Sequence, residues 1–319
     1  MSHLSRLATS CALLLVAGCG PAGNETPPPP ATPPLVTEEL VEVNGTELFV
    51  KRMGSGEPLV IVHGGPVLEH GYLLPHLAPL AESYELVFYD QRLSGRSAGT
   101  TPPESVRVAT FVDDIEGLRQ ALDLGRIHLM AHSWGGLLAM RYAVRYGENL
   151  RSLVLLDSMA ASSELWHAEE AALGARITAE EQAELKAFQQ TEAFKDRRPA
   201  AIATMLRMSF RNQFADADKA DLLELYVPDD YVARSAQFGA MMVDLESFDF
   251  HADLSGVATP TLAVYGSDEP GATFGGAAIV AAVPGATLSL IPNAGHFPFI
   301  DNAEAFFAVV GEFLGASRN

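Results

Sequence analysis

Ser133 stands in the run Ala131-His132-Ser133-Trp134-Gly135-Gly136, between a short apolar stretch and a segment with helical spacing. Small residues on either side let the backbone turn sharply under the serine, as a nucleophile elbow of the G-x-S-x-G kind requires. Ala131 replaces the first glycine, a change of one methyl group. A serine hydroxyl is a weak nucleophile at its own pKa and needs a base and a group that orients the base. His296, in Asn293-Ala-Gly-His296-Phe-Pro, lies after the last apolar run and before the last helical one. Asp268, in Tyr265-Gly-Ser-Asp268-Glu, ends the preceding apolar run. The order serine, acid, histidine predicts Ser133 as nucleophile, His296 as general base and Asp268 as the acid that holds the imidazole tautomer. Glu269 and Asp157 are competing acids at strand ends.

Such chemistry also needs donors for the oxyanion. His63-Gly64-Gly65-Pro66 follows an apolar run, and its glycines free the backbone to aim N–H groups at a developing charge. The expected donors are the N–H of Gly65 and of Trp134, with Gly64 as the alternative to Gly65. One such donor is worth roughly 2.7–4 kcal/mol in the transition state.

The elements that must position these groups alternate. Glu42 to Val50 contains an Asn44-Gly45 turn between apolar alternations, a hairpin signal. Short apolar runs follow at 59–62, 86–89, 127–131, 153–156, 261–265 and 287–291. Runs without polar alternation suit strands buried on both faces of a parallel sheet. Phe111, Ile115, Leu118 and Leu122 share one helical face, and residues 137–146 and 303–314 are helix-like. The fold class expected is α/β, a mostly parallel doubly wound sheet with function at the carboxyl ends of its strands. The core is expected at 38–158 and 250–319. Residues 159–249 break the alternation, are rich in Ala, Glu, Gln and Leu, and hold 17 acidic against nine Lys or Arg residues. They are expected to form a helical cap before the acid-bearing strand.

The chain has 319 residues, 40 acidic against 21 basic ones, a formal charge of −19 and 48% hydrophobic residues. That apolar fraction excludes wholesale disorder. The acidity excludes nucleic acid as a partner, since phosphate binding needs clustered Lys and Arg. Two cysteines exclude a disulfide framework and a Cys-rich metal site. Residues 1–18 read as an export signal: Arg6 is the basic end, and the apolar stretch from Cys11 to Gly18 is far shorter than the roughly 20 residues of a spanning helix. Val16-Ala17-Gly18-Cys19 resembles the bacterial lipobox, which implies lipidation at Cys19 and a place in the bacterial cell envelope. Residues 19–37, with Pro27 to Pro30 unbroken, read as an extended tether.

Across about residues 40–314 these motifs resemble the α/β-hydrolase superfamily, and more narrowly the prolyl aminopeptidase (proline iminopeptidase) family. His63-Gly-Gly-Pro66 matches that family's H-G-G-P-G up to its last residue, where Val67 stands. Asp90-Gln91-Arg92-Leu93-Ser-Gly95-Arg96-Ser97 matches D-Q-R-G-x-G-R-S except at Leu93. Ser133-Trp-Gly-Gly136 matches G-G-S-W-G-G, with Ala131-His132 in place of its first two glycines. The resemblance implies the triad named above, a helical cap that selects small N-terminal residues, and no metal or organic cofactor. Asp90 and Arg92 end a strand at a sharp turn, which assigns them to ion pairs and turn hydrogen bonds.

An aminopeptidase needs carboxylates for the substrate's ammonium. Glu246 and Asp244 are the first candidates, with Glu164, Glu169 and Asp249 beside them, and Trp166, with Phe238, Met241 and Met242, is a candidate for an apolar wall. The partner expected is a small molecule or short peptide. A carboxylesterase or lactonase would use the same machinery on an uncharged ester. A binding protein on a hydrolase scaffold would not need the triad. A nucleophilic serine, rather than aspartate, disfavours dehalogenase and epoxide hydrolase chemistry.

Overall fold

The structure is a computed structural model that describes residues 36–317. The export signal, Cys19 and most of the tether lie outside these residues. The strand that opens the fold begins at Val36, inside the stretch assigned to the tether.

Eight strands form one sheet: β1 Val36–Val43, β2 Thr46–Gly54, β3 Glu57–Val62, β4 Tyr84–Tyr89, β5 Ile127–His132, β6 Leu150–Leu156, β7 Thr261–Gly266 and β8 Thr287–Ile291. Their order is β1-β2-β4-β3-β5-β6-β7-β8. β1 and β2 are antiparallel across the Asn44-Gly45 turn, where both residues have positive φ, 47° and 73°. This is the backbone a two-residue hairpin of matched twist requires. β2 also pairs antiparallel with β4, and every later pairing is parallel.

Side chains alternate across the sheet with period two. Val60 and Val62 of β3 and Leu129 and Ala131 of β5 face one apolar core. Helices Val108–Ala121 and Trp134–Tyr146 close that face, the first through Phe111, Ile115 and Leu118. Leu59, Ile61 and Met130 face the opposite core, closed by helix Ala303–Ala316 through Phe306, Val310 and Leu314. β3 and β5 are adjacent although β4 lies between them in sequence. The chain reverses its winding there, and such switch points leave a crevice at the strands' carboxyl ends. The Gly64-Gly65 turn follows β3, and Ser133 follows β5.

Between β6 and β7 the described chain holds helices and no strand: Ser163–Gly174, Ala179–Phe188, Glu192–Lys195, Pro199–Phe210, Tyr231–Phe238, Met242–Leu245 and His251–Leu254 are its α-helical segments. A Ser162–Asp249 bridge closes the base of this excursion, flanked by Ser163 N–H to Phe248 O at 2.8 Å and Phe250 N–H to Ala161 O at 3.1 Å. No helix among the described residues is long and apolar enough to cross a membrane.

Candidate active site

Ser133 has φ 56° and ψ −121°, a backbone region that costs an L-residue roughly 1–3 kcal/mol. Its own bonds hold it there. Its N–H donates to Leu156 O at 3.0 Å, and its carbonyl accepts from Gly136 N–H at 2.8 Å and Met159 N–H at 3.0 Å. The turn is tight enough that a Cβ at Gly135 would sit 2.6 Å from the carbonyl oxygens of Val62 and His63. Glycine there is a packing requirement, and it brings the end of β3 against the start of the helix after Ser133.

The two glycines after β3 separate in role. Gly64 N–H donates to Tyr72 Oη at 2.6 Å, so it is not free to meet a substrate. Gly65 has φ 59°, and among the described residues its N–H makes no hydrogen bond. The N–H of Trp134 opens its helix, has no carbonyl four residues back within it, and is likewise unpaired among the described residues. Gly65 borders both cavities that open at Ser133, and Trp134 follows Ser133 directly.

The Asp90-Gln91-Arg92 segment braces this arrangement. The Gln91 side chain donates to His63 O at 2.7 Å and accepts from Trp134 Nε1–H at 3.0 Å, joining the glycine turn to the elbow. Gln91 N–H donates to His63 Nε2 at 3.1 Å. Burial holds the His63 pKa down to about 4, so the ring is neutral and can accept. Arg92 binds both oxygens of Asp114 at 2.7 Å, a buried fork-on-fork pair. Asp90 accepts from His70 Nδ1–H at 2.6 Å and from Arg96 N–H at 2.7 Å. The expectation of structural rather than reacting roles for Asp90 and Arg92 agrees with these contacts.

A chain of hydrogen bonds then ties the elbow to His296. Gly64 N–H donates to Tyr72 Oη, Tyr72 lies 2.7 Å from His132 Nδ1, and His132 Nε2 lies 2.8 Å from His296 O. A carbonyl can only accept, so the His132 proton sits on Nε2 and Tyr72 donates its hydroxyl proton to Nδ1. Burial, followed by the neighbouring His296, pushes the His132 pKa well down, in keeping with a neutral ring. His296 N–H also donates to Gln213 O at 2.7 Å.

The acid beside His296 is not Asp268. Asp268 is exposed, and among the described residues its carboxylate accepts only from Ser267 Oγ. Glu269 is buried, with Oε1 3.7 Å from His296 Nδ1, within ion-pair range and beyond hydrogen-bond length. The cause is local. Glu269 N–H donates to Gly266 O at 3.2 Å, closing a turn whose middle residues, Ser267 and Asp268, point to solvent. Gly-Ser-Asp-Glu has the composition of such a turn, and that was the available signal. Asp157, at the end of β6, is the third member of the cluster. Its Oδ1 accepts from Gly266 N–H at 2.9 Å, and burial, then the charge of Glu269, pushes its pKa well up.

Asp157, Glu269 and His296 have donor atoms within 4.8 Å of one another, close enough to hold a cation. Asp157 Oδ2, Glu269 Oε2 and His296 Nδ1 are buried and without a hydrogen bond among the described residues. A second such group is Glu69, His70 and Asp90, but its oxygens are engaged by His70 and by the N–H groups of Gly71, Arg96 and Tyr226.

Two cavities meet at Ser133, Gly65 and His296. The larger, about 300 Å³, is bounded by Asp157, Glu169 and Glu269, and by Trp166, Phe238 and Met242. Glu169 comes from helix Ser163–Gly174 and accepts from Gly275 N–H at 2.8 Å. Burial, opposed by that bond and reinforced by Glu269, raises its pKa to about 8. Glu170, exposed, borders both cavities. Of the ammonium and wall candidates, Glu169, Trp166, Phe238 and Met242 border the larger cavity. Asp244 does not: it accepts from Val108 N–H at 2.8 Å in an outer groove with Arg141 and Arg145. Glu246 is exposed and borders a separate surface hollow beside His167. Asp244 lies within the four-residue helix Met242–Leu245 and Glu246 caps its end, and the buried side chain of that helix is Leu245. Glu170 had no signal of its own, being one of many acids on helical segments.

The fold and the elbow define a class, and the comparisons agree with it. The family described as alpha/beta hydrolase fold matches residues 57–303, and the chain belongs to that family. It is 28% identical over 280 residues to the proline iminopeptidase of Lactobacillus acidophilus, covering 84% of this chain and 94% of that protein. Among solved structures, the proline iminopeptidase of Mycobacterium smegmatis is similar at a TM-score of 0.66 and 24% identity, covering 88% of this chain and 98% of that one. The enol-lactonase of Burkholderia xenovorans reaches a TM-score of 0.59 at 21% identity, with 87% and 100% covered. At those identities the two structures establish the fold.

The Glu169 proton carries a consequence for stability. The folded chain keeps it to about pH 8, whereas an unfolded glutamate loses it near 4.5. Between these values folding takes up a proton, so this group's contribution to stability falls as pH rises from about 4.5 to about 8. In thermal melts at pH 5, 6.5 and 8, Glu169→Gln should gain on the wild type as pH rises. Parallel pH profiles for the two proteins would place no such titration at Glu169.

Proposed function

We propose that this chain is a serine hydrolase of the aminopeptidase kind, releasing an N-terminal proline or another small residue. The observation that carries this reading is the set of carboxyl groups, Asp157, Glu169 and Glu269, bordering the same 300 Å³ cavity as Ser133. A free α-ammonium is the cation that a peptide's N-terminal residue would bring there. Burial makes each carboxylate costly when empty, and a bound ammonium offsets that cost. The relatives named proline iminopeptidase support the same reading.

In this mechanism His296 takes the proton of Ser133 as Oγ attacks the acyl carbon. The N–H groups of Gly65 and Trp134 receive the charge that develops on the carbonyl oxygen. His296 then passes its proton to the departing amine, the C–N bond breaks, and an ester on Ser133 remains. Water, deprotonated by the same histidine, cleaves that ester and restores Ser133. Glu269 is the acid that stabilises the imidazolium, and Asp157 lies behind it. This replaces Asp268 in the role. The Tyr72–His132 chain holds the backbone of His296 in place.

One observation favours a second reading. Glu169 holds its proton to about pH 8, and much of the cavity wall is apolar, with Trp166, Phe238, Met242 and Leu245. A cavity of that character also suits the acyl group of an uncharged ester or lactone.

A kinetic panel separates the two. Proline and alanine arylamides should be cleaved, and N-acylation of the same substrates should reduce kcat/KM at least a hundredfold. Turnover that survives acylation, with short esters preferred, sinks the aminopeptidase reading and favours the esterase. In the same assay Glu269→Gln should lower kcat by about 10²–10⁴-fold, and Asp268→Asn should stay within about twofold of wild type. The reverse pattern would return the role to Asp268.

We further propose, from the Val16–Cys19 run alone, that the chain is exported and lipid-anchored at Cys19 in a bacterial envelope. Cys19→Ser should move the full chain out of the membrane fraction and remove a lipid mass shift. Unchanged fractionation with no lipid mass on the wild type would refute the anchor.

A further inference from the structure

We infer that the second cavity at Ser133 is a leaving-group pocket that selects an apolar, ring-bearing residue after the scissile bond. The inference rests on the aminopeptidase reading, which places the substrate's ammonium, and so its acyl half, among the carboxyl groups of the larger cavity. The atoms leaving Ser133 then have the other cavity that borders the nucleophile, His296 and Gly65.

That cavity is about 150 Å³, and its wall combines Leu68, Tyr72, Phe210, Leu223, Leu225 and Phe297 with the polar residues Glu170 and Gln213. A cavity of that size has room for a benzene-sized ring. Its wall is fixed. Phe297 is 2% exposed, stacks on Phe214 with centroids 4.5 Å apart, and meets Phe210 edge-on at 5.7 Å and Tyr72 edge-on at 6.2 Å. Leu223 is 1% exposed. Such a wall offers a ring both faces and edges, the two arrangements aromatic pairs prefer.

The two cavities differ in chemistry as well as in size. Asp157, Glu169 and Glu269 border only the larger one, and Glu170 and Leu173, one turn apart on the same helix, border both. Ser133 thus stands between a larger cavity that carries three buried carboxyl groups and a smaller one that carries none of them and has Tyr72, Phe210 and Phe297 in its wall. In the reaction the C–N bond breaks, the acyl carbon stays on Ser133 Oγ, and His296 gives the nitrogen its proton. The side chain of the residue that leaves with that nitrogen occupies the smaller cavity, and its release from there frees the site for water.

The test compares alanyl-phenylalanine amide with alanyl-glycine amide, and alanine benzyl ester with alanine methyl ester, on the full chain. Phe210→Ser and Leu225→Asn are the variants, since both side chains are half-buried and border only this pocket. The wild type should prefer the ring-bearing member of each pair by about tenfold or more in kcat/KM, the scale expected for burying one ring. Both variants should lose most of that preference and keep methyl ester turnover within about twofold. A wild type that cleaves both amides equally leaves the aminopeptidase reading standing and overturns the pocket. A wild type that cleaves only the esters overturns the aminopeptidase reading, and the benzyl–methyl ratio still decides the pocket. Preference retained in both variants, or one that follows the acyl group, overturns it.

Discussion

The backbone of Ser133 is the constraint on which the site depends. With φ at 56° and ψ at −121° it lies in a region that an L-residue keeps only when its surroundings over-determine it. They do so from three strands. β5 delivers the residue, the carbonyl of Leu156 at the end of β6 takes its N–H, and the end of β3 presses so closely that position 135 accepts no side chain. The strain is maintained by the sheet, and the result is a hydroxyl raised at the switch point between β3 and β5, where a crevice already exists.

Fixing that turn fixes its neighbours. Trp134 follows Ser133 directly, so its N–H is set by the same bend, and its indole reaches Gln91, which also grips His63. The glycine turn is thereby locked to the elbow from above, while Tyr72 takes the N–H of Gly64 and leaves that of Gly65 free. His132, the residue before the serine, extends the same order to the carbonyl of His296. Buried neutral histidines suit such a relay, because each offers one donor and one acceptor and burial keeps the second proton off. Residues 132–134 thus anchor both the glycine turn after β3 and the backbone of His296.

Most of the fold was legible because it depends on local pattern. Unbroken apolar runs at 59–62 and 127–131 gave strands buried on both faces, and Asn44-Gly45 gave the hairpin. The elbow and its glycines were legible for the same reason. The carboxylate that faces His296 was not, because Asp268 and Glu269 differ by one step along a turn, and the closing bond from Glu269 N–H to Gly266 O decides which side chain turns inward. Tyr72 and His132 are 60 residues apart, so no spacing rule joins them. Acidic side chains between β6 and β7 are numerous and alike in sequence. Glu169 and Glu170 reach the cavity, whereas Asp244 and Glu246 lie outside it, a distinction set by how the helices pack.

The central claim is that Ser133 is a nucleophile made reactive by its position and by His296. Incubating the full chain with a fluorophosphonate, then locating the adduct by peptide mass spectrometry, tests it directly. The account predicts one phosphonyl group per chain, on the peptide carrying Ser133, absent from Ser133→Ala and formed far more slowly in His296→Asn. Labelling at another residue, or equal labelling of wild type and Ser133→Ala, would contradict it.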